Sequence, residues 1–332
     1  MSDYQLRLDQ YLQLHSPSIS VEQLTQDAST REYFRIGWKG GTAIACVYPE
    51  PFVAQEQTYI DVTKLFRAAE LPVAEVYDFD ERLGVIVQED FGDTILRSVL
   101  EKSNAVEKER LIDESIGLIA RIQAATSLAY ETGSIASNLK FDTEKLLWEL
   151  NFFKEHYFTT FGKKPLDPKT DAAVEAEFKE LSKELESKAT VLCHRDFHAA
   201  NLMLDREDRL RIIDHQDARI GSPTYDLVSL LLDRIIEMPE PEWLAAKRHL
   251  LIRYREELGL SAISEDDFTY EFRLQTVQRC LKAAGTFSFQ SANRGKTYFI
   301  PFIKPMFRVV LRAIQSLNRF PVLDEILKQE IA

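Results

Sequence analysis

Two carboxylates and one amide lie along a short stretch of this chain in a pattern that suits phosphoryl transfer. Asp196 precedes Asn201 by five residues, and Asp214 follows Asn201 by thirteen residues. Transfer of a phosphoryl group from Mg-ATP requires a group that receives the proton of the acceptor hydroxyl, together with oxygen ligands for the metal ion. Asp196 suits the first task. Asn201 and Asp214 suit the second because Mg²⁺ is a hard cation that takes carboxylate and amide oxygens.

Short strand-like segments surround these three residues and would bring them together. The segments are 191–194, 201–204 and 209–213, and a polar turn at 205–208 joins the last two. Folded back as an antiparallel hairpin, the last two segments bring Asn201 opposite Ile213 or Asp214, while Asp196 lies on the loop that leads in. Asp and His residues near strand ends can instead be turn formers or helix caps. The combination of all three residues favours a functional site.

The rest of the chain divides into a strand-rich part and a helical part. Strand-like segments occupy residues 19–24, 33–37, 42–47, 76–79 and 84–88. A short amphipathic helix at 3–15 precedes these segments, and a helix at 55–69 interrupts them. Helical periodicity dominates at 94–128, 142–160, 170–188 and from 242 to the end.

This arrangement predicts an α+β fold with two lobes. Residues 1–92 would form a small antiparallel β-sheet lobe with one helix. Residues 93–332 would form a larger, mainly helical lobe. The length of 332 residues supports two lobes because single cores rarely grow so large. A cleft between lobes is where a small-molecule site normally lies.

Composition and charge exclude several classes of protein. The net charge of −12 argues against a nucleic acid or an anionic membrane as the main partner. The three cysteines form no metal-binding or disulfide pattern. The N-terminus is too charged for a signal peptide, and no apolar run reaches the length of a membrane span. We therefore expect a cytoplasmic protein that is a monomer or a weak dimer, with no nucleic-acid or membrane partner.

The catalytic stretch resembles the aminoglycoside phosphotransferase family, the small-molecule relatives of protein kinases. His194, Asp196 and Asn201 match the family pattern His-x-Asp-x-x-x-x-Asn, and Asp214 in Ile-Ile-Asp matches its metal-binding aspartate. The resemblance implies a bilobal protein-kinase-like fold with ATP and Mg²⁺ as cofactors, in which the lobe of residues 1–92 binds the nucleotide and the lobe of residues 93–332 serves catalysis and substrate binding. It implies that Asp196 is the catalytic base and that Asn201 and Asp214 hold Mg²⁺. It also implies that His194 buttresses the loop and that Asp226 orients it from the following helix.

Three further segments are similar to the bacterial N-acetylmuramate/N-acetylglucosamine anomeric kinases within that family. Residues 27–35 (DASTREYFR) look like their phosphate-loop segment, and residues 88–93 (QEDFGD) look like their acidic hinge. Residues 278–298, with Gly285 and Phe287, fit their C-terminal pattern. This likeness implies phosphorylation of the C1 hydroxyl of an N-acetylated amino sugar, such as N-acetylmuramate or N-acetylglucosamine, in cell-wall recycling.

Several residues are candidates for binding the nucleotide. Ser29 and Thr30 can offer backbone N–H and hydroxyl donors to phosphate oxygens, and Arg31 or Arg35 can add charge-assisted bonds. The alternative is an ordinary Ser/Thr turn between strands. Adenine would be held by main-chain groups of the hinge residues, which are Gln88, Glu89 and Phe91.

The strand at 42–47 lacks the lysine that pairs with the ATP phosphates in most kinases. Ala45 would occupy the position of that lysine. Without it, the role of Glu56, which lies near the place of the kinase helix glutamate, stays open. Arg31 or Arg35 would supply the missing positive charge.

Three residues of the helical part are candidates for binding the acceptor. Arg279 and Lys282 are three residues apart and so share a helix face, where they could bind a lactyl carboxylate or a sugar oxygen. They could equally be solvated basic residues. His198 could contact the transferring phosphoryl group or the substrate, or could have a packing role.

Two other functions remain open on the same residues. A kinase of another small alcohol, such as an aminoglycoside or a choline-like compound, would need a dense acidic patch for its cationic acceptor, whereas a muramate site needs a cation. A nucleotide-binding pseudokinase is supported by the missing strand lysine. The presence of Asp196, Asn201 and Asp214 together argues against a pseudokinase, because a scaffold needs none of them.

Overall fold

The structure is a computed structural model that describes residues 2–15, 20–24 and 30–332. Five strands form an antiparallel sheet near the N-terminus, in the order β1–β2–β3–β5–β4. They are β1 (Val21–Gln23), β2 (Glu32–Trp38), β3 (Gly41–Val47), β4 (Val76–Asp80) and β5 (Val85–Glu89). The strands predicted at 33–37, 42–47, 76–79 and 84–88 are confirmed with small shifts at their ends. The start of the first predicted segment, at residue 19, lies outside the described residues.

The two faces of this sheet have different partners because successive side chains of a strand point to opposite faces. Helix α1 (Asp3–His15) covers the outer face, where Leu8 and Tyr11 pack against Ala45 and Val87. Helix α2 (Thr58–Ala68) lies on the inner face, where its residues Tyr59 and Ile60 pack against Ile86. The inner face is therefore the side of the sheet that faces α2 and the helical part of the chain, to which Asp61 of α2 is bonded.

The remainder of the chain is mostly helical, which confirms the predicted α+β class. The helices are α3 (Leu96–Lys102), α4 (Ala105–Ala124), α5 (Thr126–Thr132), α6 (Ile135–Asn138), α7 (Thr143–Lys154), α8 (Pro168–Lys188), α9 (Tyr225–Leu232), α10 (Pro241–Glu257), α11 (Glu265–Arg294), α12 (Ile300–Leu317) and α13 (Pro321–Ile331). Capping side chains start several of them: Asn104 accepts from the Glu107 N–H at 3.0 Å, and Asp142 accepts from the Lys145 N–H at 2.7 Å. The division at residue 92 stays a prediction.

Five very short strands lie within the helical part and carry the catalytic stretch. They are β6 (Thr94–Ile95), β7 (Val191–Cys193), β8 (Leu202–Leu204), β9 (Leu210–Ile212) and β10 (Arg219–Gly221). Strands β8 and β9 pair in the predicted register, and the Ile213 N–H donates to the Asn201 carbonyl at 3.1 Å. Strands β6 and β10 were not predicted; β6 pairs with β8, and β10 pairs with β7.

Helix α11 passes close to helix α7 at Gly285. A Cβ at this position would lie 2.5 Å from Phe153 Cα and 3.0 Å from Phe153 N, which are backbone atoms that cannot move aside easily. Only glycine therefore permits this approach. The close packing of α7 on α11 fixes the part of α11 that carries Arg279 and Lys282.

Candidate active site

The loop after β7 is held by contacts from two sides. Asp226, which is fully buried at the start of α9, accepts hydrogen bonds from the N–H groups of His194 at 2.7 Å and Arg195 at 3.0 Å. Burial raises the pKa of the Asp226 carboxyl to about 6. His194 Nε2 lies 3.0 Å from the Ile213 carbonyl, to which it donates. Arg195 adopts a left-handed backbone with φ of 86°, a conformation that the surrounding contacts must maintain.

The carboxylate of Asp196 is surrounded by cations. Lys282 Nζ lies 2.7 Å and Arg279 Nη2 lies 3.3 Å from Asp196 Oδ1, and Arg195 Nε lies 3.9 Å from Oδ2. Burial alone would raise the pKa of Asp196, but these cations outweigh burial and hold it well below its usual range. Arg279 and Lys282 do share one helix face, as predicted. Both of them bond the candidate base.

Asn201 and Asp214 meet at the mouth of the β8–β9 hairpin. Asn201 Nδ2 donates to Asp214 Oδ2 at 3.4 Å and to the Asp196 carbonyl at 3.0 Å. Asp214 has φ of 62°, and 41% of its side chain is exposed. Among the described residues there is no group of three His, Cys, Asp or Glu residues that could hold a metal alone. One carboxylate and one amide still fit Mg²⁺, which commonly keeps waters and takes phosphate oxygens as further ligands.

Arg31 reaches across the cleft to this pair. Its Nη2 lies 3.2 Å from Asp214 Oδ1. The guanidinium lies over the rings of Tyr33 and Tyr48, at 5.7 and 5.6 Å from their centroids, within the range of cation–π attraction. A positive charge is thus held beside Asp214. Such a charge is what Arg31 would need to provide if it replaced the strand lysine of other kinases.

The prediction that Ala45 occupies the place of the kinase lysine is wrong. Ala45 faces α1 on the outer side of the sheet, whereas the lysine would have to face the cleft. Cys46 is the residue of β3 that points inward, because it pairs with Tyr33 and Ile86 on the inner face. Burial raises the pKa of the Cys46 thiol to about 12, so the thiol stays protonated.

Arg35 lies at the hinge. Its guanidinium bonds both aspartates of the acidic hinge segment, with Nε 2.8 Å from Asp90 Oδ2 and Nη2 2.8 Å from Asp93 Oδ1. Thr42 Oγ1 also donates to Asp90 at 2.7 Å. This placement favours Arg31 over Arg35 as the partner of a phosphate group, and Arg35 ties the sheet to the hinge.

The other predicted nucleotide residues lie along the hinge and the loop before β2. Gln88 pairs with Ile44 in the sheet, the Glu89 N–H donates to the Glu75 carbonyl at 2.8 Å, and Phe91 is buried under Arg211. The Thr30 carbonyl accepts a hydrogen bond from the Tyr4 hydroxyl at 3.0 Å. Ser29 lies outside the described residues.

His198 lies next to the candidate base. The backbone N–H of His198 donates a hydrogen bond to the backbone carbonyl of Asp196 at 3.0 Å. Burial lowers the pKa of its imidazole, with Asp233 and Asp196 opposing that effect. Asp233 pairs with Arg97. A neutral imidazole at this place suits either a packing role or a hydrogen bond to an acceptor.

The structure adds residues that the sequence did not single out. Glu149, which is 1% exposed, accepts from Gln278 at 2.9 Å and lies 3.6 Å from Arg195. His215 is fully buried, and its Nε2 lies 2.7 Å from Thr63 Oγ1 on α2. Burial lowers the pKa of His215 to about 3. The position of His215 directly after Asp214 was an available signal, whereas an isolated acid such as Glu149 carries none.

Comparisons with known proteins show which family this chain belongs to. A model of the phosphotransferase enzyme family matches residues 20–260. An N-acetylmuramate/N-acetylglucosamine kinase from Neisseria meningitidis serogroup B is 32% identical over 317 residues, which cover 93% of this chain and 90% of the relative. The family prediction is therefore confirmed.

Two solved structures share the fold. A protein of Ralstonia eutropha JMP134, proposed to be an aminoglycoside phosphotransferase, superposes with a TM-score of 0.64 at 16% identity, covering 94% of this chain and 98% of its own. A thermostable mutant of the aminoglycoside phosphotransferase APH(4)-Ia, in a ternary complex with AMP-PNP and hygromycin B, superposes with a TM-score of 0.57 at 17% identity, covering 92% of this chain and 98% of its own. The predicted protein-kinase-like fold is confirmed.

Across the described part of the chain, none of the helices is both long and apolar enough to span a membrane.

Both the family match and the 32% identical relative cover most of the chain. The chain therefore belongs to the phosphotransferase enzyme family and is a small-molecule kinase.

Proposed function

We propose that this kinase uses ATP and Mg²⁺ to phosphorylate the anomeric C1 hydroxyl of an N-acetylated amino sugar, such as N-acetylmuramate or N-acetylglucosamine. The convergence of Asp196, Asn201 and Asp214 at one mouth, with Arg31 against Asp214, carries the proposal. The Neisseria relative is named for both of these sugars. The proposed setting is cell-wall recycling in the cytoplasm. The proposed protein is a monomer or a weak dimer whose partner is its sugar substrate.

On the donor side, the sheet and the hinge would hold the nucleotide. Arg31 would make charge-assisted bonds to the phosphates, with Thr30 and Ser29 as further donors. Arg35 would set the hinge by bonding Asp90. Main-chain groups of the hinge would meet adenine, and the residues proposed for this contact are Gln88, Glu89 and Phe91.

Asn201 and Asp214 would hold Mg²⁺ through their side-chain oxygens. When bound, the ion would supply positive charge that neutralises the β and γ phosphates during transfer. The contact of Asn201 with the Asp196 carbonyl ties the proposed metal ligand to the proposed base. A single loop would thereby position both groups.

On the acceptor side, Asp196 would orient the C1 hydroxyl and receive its proton. A carboxylate that three cations keep ionised is a weak base, and an anomeric hydroxyl is more acidic than an ordinary alcohol. The base therefore need not be strong, and rate enhancement would come mainly from positioning and electrostatics. His194 and Asp226 would hold the loop in place through the bonds described above.

The charges beside Asp196 favour a neutral or anionic acceptor. Lys282 and Arg279 both lie within hydrogen-bond distance of the base. An aminoglycoside or a choline-like acceptor would bring further positive charge next to these two cations and would be repelled. A sugar hydroxyl or a lactyl carboxylate would be attracted, and His198 would offer a further polar contact.

A panel of acceptors tests this proposal. The protein is incubated with Mg-ATP and N-acetylmuramate, N-acetylglucosamine, galactose or kanamycin, and ³¹P NMR locates the phosphate. We expect a C1 phosphate on the N-acetylated sugars. Phosphate on kanamycin alone would show that the proposed acceptor is wrong.

Replacement of the base tests the catalytic role. Asp196→Asn should lower turnover by about 100-fold or more while ATP binding survives. Asp324→Asn is a matched control, because Asp324 has similar exposure, 24% against 25%, and also bonds a lysine. Unchanged turnover in Asp196→Asn would remove Asp196 from the mechanism.

A further inference from the structure

The segment that carries Asp214 is anchored on both of its sides. On the preceding side, the Ile213 carbonyl accepts a hydrogen bond from His194 Nε2 at 3.0 Å. On the following side, His215 is 0% exposed and lies against helix α2. Asp214 itself is the exposed residue between two buried contacts, and its backbone has φ of 62°. An aspartate adopts this left-handed conformation more readily than most residues, but the conformation still costs free energy that neighbouring contacts must offset.

The contact between His215 and α2 has both a polar and an aromatic part. His215 Nε2 and Thr63 Oγ1 share a hydrogen bond of 2.7 Å, and Thr63 is 3% exposed. The imidazole also stacks on Phe66 with 5.4 Å between centroids and lies against Tyr59 at 4.8 Å. Stacking fixes the plane of the ring but allows either of the two orientations that a 180° rotation about Cβ–Cγ interconverts. The hydrogen bond selects the orientation in which Nε2 faces Thr63.

Helix α2 is itself fixed to the helical part of the molecule. Asp61 Oδ2 accepts a hydrogen bond from the Ile135 N–H at 2.9 Å, where α6 begins. Thr63 lies two residues further along the same helix. Helix α2 is therefore held at Asp61 and can hold His215 in turn.

We propose that Thr63 and His215 are positioning residues that set the direction of the Asp214 carboxylate and hence the affinity of the metal site. This inference rests on the proposed metal role of Asp214. Neither side chain touches the reacting groups. Their effect passes through the backbone, because His215 directly follows Asp214 and the Thr63 hydroxyl fixes the imidazole.

Isosteric replacements test the link. Thr63→Val removes the hydroxyl and keeps the shape, Thr63→Ser keeps the hydroxyl, and His215→Phe keeps the stacking and loses the hydrogen bond. Calorimetric titration of Mg²⁺ into each protein with saturating ADP measures the metal affinity directly, without turnover. We expect Thr63→Val and His215→Phe each to weaken Mg²⁺ binding by about threefold to tenfold, as for the loss of one neutral hydrogen bond.

Two further results are expected if the pair acts as one unit. Thr63→Ser should bind Mg²⁺ like the wild type, and the double variant Thr63→Val/His215→Phe should bind it no more weakly than either single variant. Thr276→Val is the control, because Thr276 is also 3% exposed but its hydroxyl bonds its own helix at the Phe272 carbonyl. It should change thermal stability only.

Failure of this inference differs from failure of the proposed function. Unchanged Mg²⁺ affinity in both single variants, or strictly additive losses in the double variant, would overturn the positioning role. A lower melting temperature with unchanged affinity would also overturn it. If Asp214→Asn binds Mg²⁺ as tightly as the wild type, the proposed metal ligand itself is wrong.

Discussion

Replacing Lys282 with methionine should raise the pKa of the Asp196 carboxyl. Lys282 Nζ is the nearest cation, 2.7 Å from Asp196 Oδ1, and methionine keeps most of the length of the side chain without its charge. Arg279 and Arg195 remain near the carboxylate, so the site keeps two of its three positive charges. The pKa of Asp196 should therefore rise from well below its usual range towards that range or above it.

The size of the shift follows from the distance and the exposure. At 2.7 Å, two unit charges attract by about 6 kcal/mol at an effective dielectric constant of about 20 and by about 1.5 kcal/mol at the value of water. A quarter of the Asp196 side chain is exposed, and two other cations remain, so the lower half of this range applies. About 2–3 kcal/mol corresponds to a pKa rise of about two units.

The assay is the pH dependence of kcat/KM for the sugar at saturating Mg-ATP. If Asp196 is the base, as proposed, its carboxylate is the active form and activity is lost as the pH falls through its pKa. The variant should therefore lose activity about two pH units higher than the wild type. Lys282→Arg should keep the wild-type profile. Lys247→Met is a matched control, since Lys247 is also an ion-paired lysine, bonded to Glu109 and Asp113 away from the site. An acid limb that does not move in Lys282→Met would refute the assignment of Asp196 as the ionised base.

Three further predictions concern other parts of the molecule. Burial raises the pKa of Asp226 from 3.8 to about 6, so its contribution to the free energy of unfolding is present below about pH 4 and is lost as the pH rises through about 6. In denaturant unfolding between pH 4 and 7, the free energy of unfolding of the wild type should fall by about 3 kcal/mol more than that of Asp226→Asn. The same pH dependence in both proteins would contradict this prediction. Gly285→Ala should lower the free energy of unfolding by about 1–3 kcal/mol because its Cβ would clash with α7. Gly117→Ala is the control and should be neutral or stabilising, because the nearest atom to its Cβ would lie 3.7 Å away. Equal melting temperatures for Gly285→Ala and the wild type would contradict this prediction. Arg31→Met should lower kcat by about tenfold or more. Adding Cys46→Lys should recover part of the lost kcat by restoring a cation on the inner face of β3. If steady-state kinetics show no recovery, Arg31 does not replace the strand lysine of other kinases.

The sequence predicted the hairpin register correctly because a polar turn between two short apolar strands allows few alternatives. Asn201 accordingly lies opposite Ile213. Strands β6 and β10 were missed because segments of two or three residues are too short to show periodicity. The wrong assignment of Ala45 has a related cause. From Ala43 to Val47 both faces of β3 are buried or half-buried, so this part of the strand reads as a continuous apolar run and its alternation is invisible.

The contacts of the site were beyond the reach of the sequence for a different reason. The spacing of Arg279 and Lys282 predicted a shared helix face, but their partner Asp196 lies 83 and 86 residues away. The short interval between the two helix residues contains no information about that partner. The contact depends on how α11 packs against α7. The missing side chain of Gly285 helps to determine that packing, because a Cβ there would clash with Phe153.

If Asp214 is a metal ligand, as proposed, its ion pair with Arg31 means that the guanidinium and a divalent cation compete for one carboxylate. Lone pairs that are given to Arg31 are not available to Mg²⁺, so each ligand weakens the other by the same factor. Phosphate groups that draw Arg31 away would release Asp214 for the ion. Nucleotide and magnesium should therefore bind with positive cooperativity, and the ion alone should bind weakly. An enzyme built in this way would avoid loading metal in the absence of its nucleotide.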